Sequence, residues 1–76
     1  MPHIIIKIVE RDEDDKILLS EALCNAMSET LNIEKDKISI TIEDIAMDDW
    51  VEQVYKPDIL GKESILYKKP GYKIPY

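Results

Sequence analysis

A proline at position 2 is the residue of this chain best suited to proton transfer. A small second residue usually permits removal of the initiator methionine, so we expect the mature chain to begin at Pro2. Its nitrogen would then be a secondary amine held by its own ring and ready to accept a proton once neutral. Apolar surroundings and a nearby cation both lower an amine's pKa toward the pH at which a general base works. The simpler alternative is that Pro2 only opens a strand, where proline is tolerated.

Arg11 is the second candidate, because it is the only arginine in the chain. A guanidinium group can bind a carboxylate through two parallel hydrogen bonds, which an ammonium group cannot do. Any site that clamps a carboxylate in this way must therefore use Arg11. The competing interpretation is a surface pair with Glu10, Asp12 or Asp14, since runs of charge usually form solvated faces.

Trp50 and Ser39 are weaker candidates. Trp50 is a possible wall of a substrate pocket, although tryptophan is more often a core anchor, and one residue can be both. Ser39 could donate a weak hydrogen bond, but an ordinary serine on an outward strand face is the simpler account. His3 follows Pro2 directly and could tune it, although a strand-face histidine is again simpler. Lys68 and Lys69 could extend an anion site, but an interface or surface position outside the site is the simpler account.

Composition excludes several classes of function. The net charge is −6, with 16 acidic and 10 basic residues, which argues against nucleic acid as a partner. One cysteine and one histidine provide neither an intramolecular disulfide nor a Cys/His metal cluster. We expect Cys24 to be a small buried apolar residue. No apolar run reaches transmembrane length and no signal peptide is recognisable, so we expect a cytoplasmic protein without membrane contact.

The elements that must position these residues follow from periodicity. Residues 3–9 alternate with apolar residues on both faces, which predicts a strand covered on both sides. Asp12 is a plausible N-cap, with Asp15 at the capping-box position, and the helix is predicted to end near Leu31 with Asn32 after it. Its predicted covered stripe comprises Leu19, Ala22, Leu23, Ala26, Met27, Thr30 and Leu31.

A second strand is predicted over residues 38–43. Strand, long helix and strand form a βαβ unit, whose right-handed crossover makes the two strands parallel. A short helix capped by Asp48 is expected to carry Trp50, Val51, Val54 and Tyr55 on one face, with Pro57 at its end or at the start of the next turn. Residues 58–67 are compatible with either helix or extended chain, and the tail 73–76 is expected to extend along a neighbouring surface.

Two parallel strands and one helix cannot close a core, and a chain of 76 residues is marginally stable alone. A second copy would complete a four-stranded sheet with two helices on one face. We therefore expect one α/β domain over residues 1–76 that is stable as a homodimer, with a hexamer disfavoured because the C-terminal segment could cover further assembly faces.

The order of these features resembles the 4-oxalocrotonate tautomerase superfamily. The shared features are Met-Pro, an isoleucine-rich strand, an arginine before an acidic helix start and a Ser-Ile-Thr-Ile second strand near an aromatic residue. The segment Lys68-Lys69-Pro70-Gly71-Tyr72, with Trp50 upstream, is similar to the small phenylpyruvate-tautomerase-like subgroup. The resemblance covers the whole chain through several short motifs.

The resemblance implies a cofactor-independent isomerase that interconverts the enol and keto forms of a small 2-oxo acid. It implies that Pro2 is the general base, that Arg11 binds the substrate carboxylate and that Trp50 lines the pocket. Ser39 stands where founding members carry a second arginine, which favours a monocarboxylate such as phenylpyruvate over a dicarboxylate. Dehalogenase- or hydratase-type chemistry at the same site, or an inactive dimeric binding protein, are the alternatives.

Overall fold

The computed structural model describes residues 1–75 and shows a βαβ unit followed by a helical C-terminal segment. The main elements are strand β1 (His3–Val9), helix α1 (Glu13–Leu31) and strand β2 (Ser39–Ile45). The two strands pair in parallel, with His3 opposite Ser39 and Val9 opposite Ile45. This confirms the predicted α/β fold, although β2 begins one residue later and ends two residues later than expected.

Helix α1 begins and ends where its capping residues predict. The side chain of Asp12 accepts a hydrogen bond of 2.9 Å from the backbone N–H of Asp15. At the other end Asn32 adopts the left-handed conformation (φ 55°, ψ 52°), and its N–H donates to the carbonyl of Ser28. Asparagine tolerates this conformation better than most residues, so it terminates the helix without glycine.

The predicted covered stripe of α1 is only partly right. The half-buried residues are Lys16, Leu19, Ser20, Leu23, Cys24, Met27 and Ser28. Four members of the expected stripe are exposed, namely Ala22, Ala26, Thr30 and Leu31. Two serines can occupy the covered side because their hydroxyls donate to backbone carbonyls of the chain. Polarity was therefore a poor guide to which side of α1 faces the sheet.

A charged pair joins α1 to one face of the sheet. Lys16 Nζ donates a 2.5 Å hydrogen bond to a carboxylate oxygen of Asp44 in β2. This bond lowers the pKa of the Asp44 carboxyl and raises the pKa of the Lys16 ammonium group. The helix is thereby held across the strand that carries Asp44.

The opposite face is covered by the segment after β2. It consists of a 3-10 turn (Met47–Asp49), a π-helix (Val51–Ile59) and a 3-10 helix (Leu60–Ile65). Ile45, Val54 and Tyr55 are the buried apolar side chains among residues 1–75, so this segment forms the core with the end of β2. The prediction of a short C-terminal helix is confirmed, and the open region 58–67 is helical as far as Ile65.

Two details of this segment differ from expectation. Asp48 lies within the 3-10 turn, and the π-helix that follows Trp50 has no side-chain cap. Pro57 lies inside the π-helix and does not mark its end. Proline clashes with the i−4 carbonyl of a regular α-helix. The π-helix has wider turns, and it continues past Pro57 as far as Ile59.

A second charged pair fixes the π-helix on the sheet. Lys7 Nζ, in β1, lies 2.5 Å from a carboxylate oxygen of Asp58, and Lys62 Nζ lies 3.4 Å from the other oxygen. The hydrogen bond from Lys7 lowers the pKa of Asp58, and the same bond raises the pKa of Lys7. Coverage of this face is incomplete, because Ile5 remains 60% exposed.

The remainder of the described chain follows an irregular path after Ile65, with a bend at Gly71 and Ile74 half-buried. The expected extended tail includes Tyr76, which lies outside the described residues. Within residues 1–75, no helix is both long and apolar enough to cross a membrane.

We expect Asp58→Asn to make stability less dependent on pH. The lowered pKa of Asp58 means that its stabilising effect is complete above the ordinary carboxyl pKa of 3.8 and is lost as pH falls through the folded-state pKa. Urea unfolding should therefore show a lower midpoint for the variant at pH 7 and convergence with the unsubstituted protein near about pH 2. The control is Glu52→Gln, which alters an exposed pair within the π-helix. An equal drop of the urea midpoint in both variants at pH 7 would contradict the role of Asp58 in fixing the π-helix on the sheet.

Candidate active site

Pro2 lies half-buried where β1 begins, and Ser39 holds this end of the sheet together. The backbone N–H of Ser39 donates to the carbonyl of Pro2 at 3.3 Å. Its hydroxyl forms a 2.7 Å hydrogen bond with Nδ1 of His3. Met1 is fully exposed, with a relative accessibility of 101%. Pro2, His3 and Ser39 therefore form one cluster, which we call the amino-end cluster.

Arg11 lies at the other end of β1, in the turn before α1. Its Nη2 atom is 3.2 Å from a carboxylate oxygen of Asp15, one helical turn along. A surface pair was one of the two predicted roles, but its partner is Asp15 and none of the three expected acids. Both side chains are exposed, and exposed ion pairs are weak, so a ligand carboxylate can compete for the guanidinium group.

The backbone of Arg11 lies beside the pair that joins α1 to β2. The hydrogen bond from Lys16 and, to a smaller extent, the backbone N–H of Arg11 lower the pKa of the Asp44 carboxyl. A pocket of about 330 Å³ opens here, lined by Ile8, Arg11, Asp15, Lys16, Leu19 and Ile42.

Trp50 lies at the same end of the sheet as Arg11 but on the other face. Its indole N–H donates to the hydroxyl of Tyr72 at 3.1 Å. Its apolar pocket measures about 310 Å³ and is lined by Val9, Met47, Trp50, Tyr72 and Ile74. Sequence reasoning did not select Tyr72, because no local pattern indicates that residues separated by 22 positions are in contact.

Within one chain, the four candidate residues occupy two separate places. Pro2 and Ser39 lie at the amino end of the strands, whereas Arg11 and Trp50 lie at the carboxyl end. The seven residues of β1 extend over roughly 23 Å at the usual rise per residue. An arginine side chain cannot span that distance, so the single chain does not bring the candidate base and the candidate carboxylate clamp together.

No metal centre is evident in the part of the chain that the structure describes. Among residues 1–75, no group of three or more histidine, cysteine, aspartate or glutamate side chains is placed to hold an ion.

Comparison with known proteins assigns the family. The family model described as "Tautomerase enzyme" matches residues 2–55, which is more than half of the chain. The chain belongs to the tautomerase family. Tautomerases are isomerases, so the protein is an enzyme of that class. The match confirms the resemblance found in the sequence and includes all four candidate residues.

Individual tautomerases are similar to this chain over nearly its whole length. A probable tautomerase of Xylella fastidiosa (strain 9a5c) is 42% identical over 73 residues, covering 95% of this chain and 89% of the relative. Tautomerase PptA of Pectobacterium carotovorum subsp. carotovorum (strain PC1) is 34% identical, covering 95% and 97%. Tautomerase PptA of Enterobacter sp. (strain 638) is 32% identical, covering 97% and 100%.

We expect Ser39→Ala to disturb His3 because it removes the hydroxyl that bonds to Nδ1. His3 is the only histidine, so its ring nitrogens are resolved without ambiguity in a ¹H–¹⁵N NMR spectrum. The Nδ1 signal should move in this variant. It should stay in place in the control Ser64→Ala, which changes an exposed serine of the C-terminal 3-10 helix; unchanged His3 signals in both proteins would contradict the observed bond.

Proposed function

We propose that this tautomerase interconverts the enol and keto forms of a small 2-oxo acid, with phenylpyruvate as the model substrate and Pro2 as the general base. The observation that carries the proposal is that the family match begins at Pro2. Met1 projects fully into solvent, so its removal would free the prolyl nitrogen without disturbing packing within the chain.

The reaction needs one base and no cofactor. In the direction from enol to ketone, the neutral nitrogen of Pro2 accepts the proton of the enol hydroxyl. The C–O bond becomes a carbonyl, and the electron pair of the C2–C3 double bond forms a new C3–H bond with a proton returned by the prolyl nitrogen. The amine is neutral again at the end, so the protein is unchanged. Holding the substrate in place makes this transfer effectively intramolecular.

The other candidate residues bind and orient the acid. Arg11 exchanges its exposed partner Asp15 for the substrate carboxylate, Trp50 forms an apolar wall, and Ser39 contributes a hydroxyl beside Pro2. With Arg11 as the only arginine, one carboxylate receives bidentate binding. A monocarboxylate is therefore favoured over a diacid.

A homodimer would assemble these residues into one site. The sheet of one chain has two strands, each with one edge that is unpaired within residues 1–75. Antiparallel pairing of β1 with its copy across a two-fold axis near Ile6 would place Pro2 of one chain beside Arg11 of the other. Such pairing would also extend the sheet to four strands and cover apolar surface that one chain leaves exposed.

We favour this dimer over a hexamer, and sedimentation giving a mass of six subunits would contradict it.

Replacing the base tests the mechanism directly. Pro2→Ala replaces the secondary amine held by its ring with a freely rotating primary amine, and it should lower the rate of phenylenolpyruvate ketonisation, with about 100- to 10,000-fold, the usual contribution of a general base, as the upper limit. The mass of the intact protein must first show that Met1 is absent, since an acylated proline cannot act as a base. Equal rates in the two proteins would reject Pro2 as the base. Ketonisation of 2-hydroxymuconate, a diacid, is measured alongside to compare the two classes of substrate.

The pH profile separates this proposal from hydratase- or dehalogenase-type chemistry. A base must be neutral, so kcat/KM for ketonisation should rise as the prolyl amine loses its proton. Activity that falls on deprotonation would instead indicate that the amine acts as an acid.

Mixing two inactive variants tests whether the site is shared between chains. Pro2→Ala retains Arg11, and Arg11→Gln retains Pro2, so a mixed dimer would regain one complete site. After unfolding and refolding an equimolar mixture, activity should return to about a quarter of that of the unsubstituted protein, because half of the dimers are mixed and each has one intact site of two. A mixture that stays as inactive as its components would mean that both residues act within one chain, which the length of β1 opposes.

A further inference from the structure

The irregular stretch 66–75, called the tail from here on, makes a contact that lies outside the matched family region. The family model matches residues 2–55, whereas Tyr72 and Ile74 lie well beyond it. The tail nevertheless folds back over the sheet, and the hydroxyl of Tyr72 accepts the hydrogen bond from the Trp50 indole. The orientation of Trp50 therefore depends on a residue outside the matched region.

Tyr72 is itself held by a buried ring. Its centroid lies 6.0 Å from that of Tyr55, with an angle of 32° between the ring planes. This separation is within the range of favourable aromatic pairs. Tyr55 is only 6% exposed and belongs to the core of the π-helix, so it fixes the position of the Tyr72 ring. A chain of contacts thus runs from the core through Tyr72 to Trp50.

The pocket lined by these residues is open to solvent on one side, and its walls suit an apolar group. Its volume of about 310 Å³ is at the lower end of the range for small-molecule sites. Val9, Met47 and Ile74 contribute apolar side chains. The polar side-chain atoms of the lining are the indole N–H of Trp50 and the hydroxyl of Tyr72, which are bonded to each other. An aryl ring can therefore enter without leaving the indole N–H unpaired.

The location of the pocket connects it with the reaction. Val9 is the last residue of β1, and Arg11 follows two residues later. The pocket of Arg11 opens on the opposite face of the sheet, so an acid whose carboxylate is bound by Arg11 has to pass around the end of β1 for its substituent to enter the apolar pocket.

We propose that Tyr72 is a positioning residue that sets substrate selectivity. Through its hydrogen bond it holds Trp50, and together with Ile74 it forms one wall of an open pocket for the aryl substituent on C3 of the 2-oxo acid. The tail thereby favours aryl acids over short alkyl acids. The identification of the ligand as a 2-oxo acid rests on the proposed function, whereas the pocket and its preference for apolar groups rest on the contacts described above.

Binding of unreactive acids tests the pocket without turnover. Trp50 is the only tryptophan, so its fluorescence reports on this pocket directly. The probes are 3-phenylpropanoate and butanoate, which share a carboxylate and differ by the ring. The unsubstituted protein should bind the aryl acid more tightly. Tyr72→Phe keeps the ring and removes the hydroxyl, and it should raise the Kd for 3-phenylpropanoate about fivefold, the effect of losing one ordinary hydrogen bond.

The same variants should separate binding from chemistry during turnover. Exchange of the C3 protons of phenylpyruvate for deuterium, followed by NMR, should show a raised KM and little change in kcat for Tyr72→Phe. Ile74→Ala removes part of the wall without touching the hydrogen bond and should also weaken 3-phenylpropanoate selectively. The control is Tyr67→Phe, a fully exposed tyrosine of the same tail, which should behave like the unsubstituted protein.

The possible failures are distinguishable. If the unsubstituted protein binds both acids equally, or if neither Tyr72→Phe nor Ile74→Ala changes the Kd for 3-phenylpropanoate, the inference is overturned even when Pro2-dependent exchange is intact. An equal loss of affinity for both acids would also overturn it, because a general structural defect does not discriminate between ligands. If exchange is absent while aryl binding depends on Tyr72, the proposed function fails and the pocket assignment is supported.

Discussion

The extended backbone of β1 is the constraint on which any catalytic arrangement in this chain depends. It separates the nitrogen of Pro2 from the turn that carries Arg11 by more than an arginine side chain can reach. The parallel partner β2 does not relieve the problem, because it runs in the same direction and brings Ser39 to the end where Pro2 already lies. An antiparallel copy of β1 would reverse the direction and align the two ends. The proposed dimer is thus linked to catalysis by geometry as well as to the stability of a short chain.

Two lysine–aspartate pairs, one on each face, organise the elements that cover the sheet. Lys16 and Asp44 fix α1, while Lys7 and Asp58 fix the π-helix, each through a hydrogen bond of 2.5 Å. Charged pairs give orientation more than net stability, which suits a sheet whose apolar core is small. The backbone N–H of Arg11 also lowers the pKa of Asp44, so the pair that docks α1 lies beside the turn that carries the candidate carboxylate clamp.

The C-terminal tail gives this tautomerase a way to adjust its substrate preference without altering the residues proposed for chemistry. The proposed base and clamp lie within the region matched by the family model, whereas Tyr72 reaches Trp50 from outside it. The π-helix through Pro57 and the following 3-10 helix lead the chain back to the sheet. A change in the tail would alter the walls of the apolar pocket and leave the amino-end cluster untouched.

Local chemistry in the sequence determined the βαβ order, the parallel strands and both ends of α1. The alternation of Ile4, Ile6 and Ile8 predicts a strand from the local sequence alone. The caps Asp12 and Asn32 likewise act on the helix ends next to them. The same level of reasoning selected Pro2, Arg11, Trp50 and Ser39 as candidates. It misassigned part of the covered stripe of α1, because serine hydroxyls bonded to the backbone can face a sheet.

Only the tertiary structure decided where those candidates lie relative to one another. It placed Ser39 against His3, Asp15 against Arg11 and Tyr72 against Trp50, and it divided the candidate site between two ends of the sheet. The bond of Trp50 to Tyr72 joins residues far apart in the chain, and its existence depends on how the π-helix directs the tail. The physical reason is that periodicity and capping are local, whereas the meeting of distant side chains depends on the summed path of every element between them.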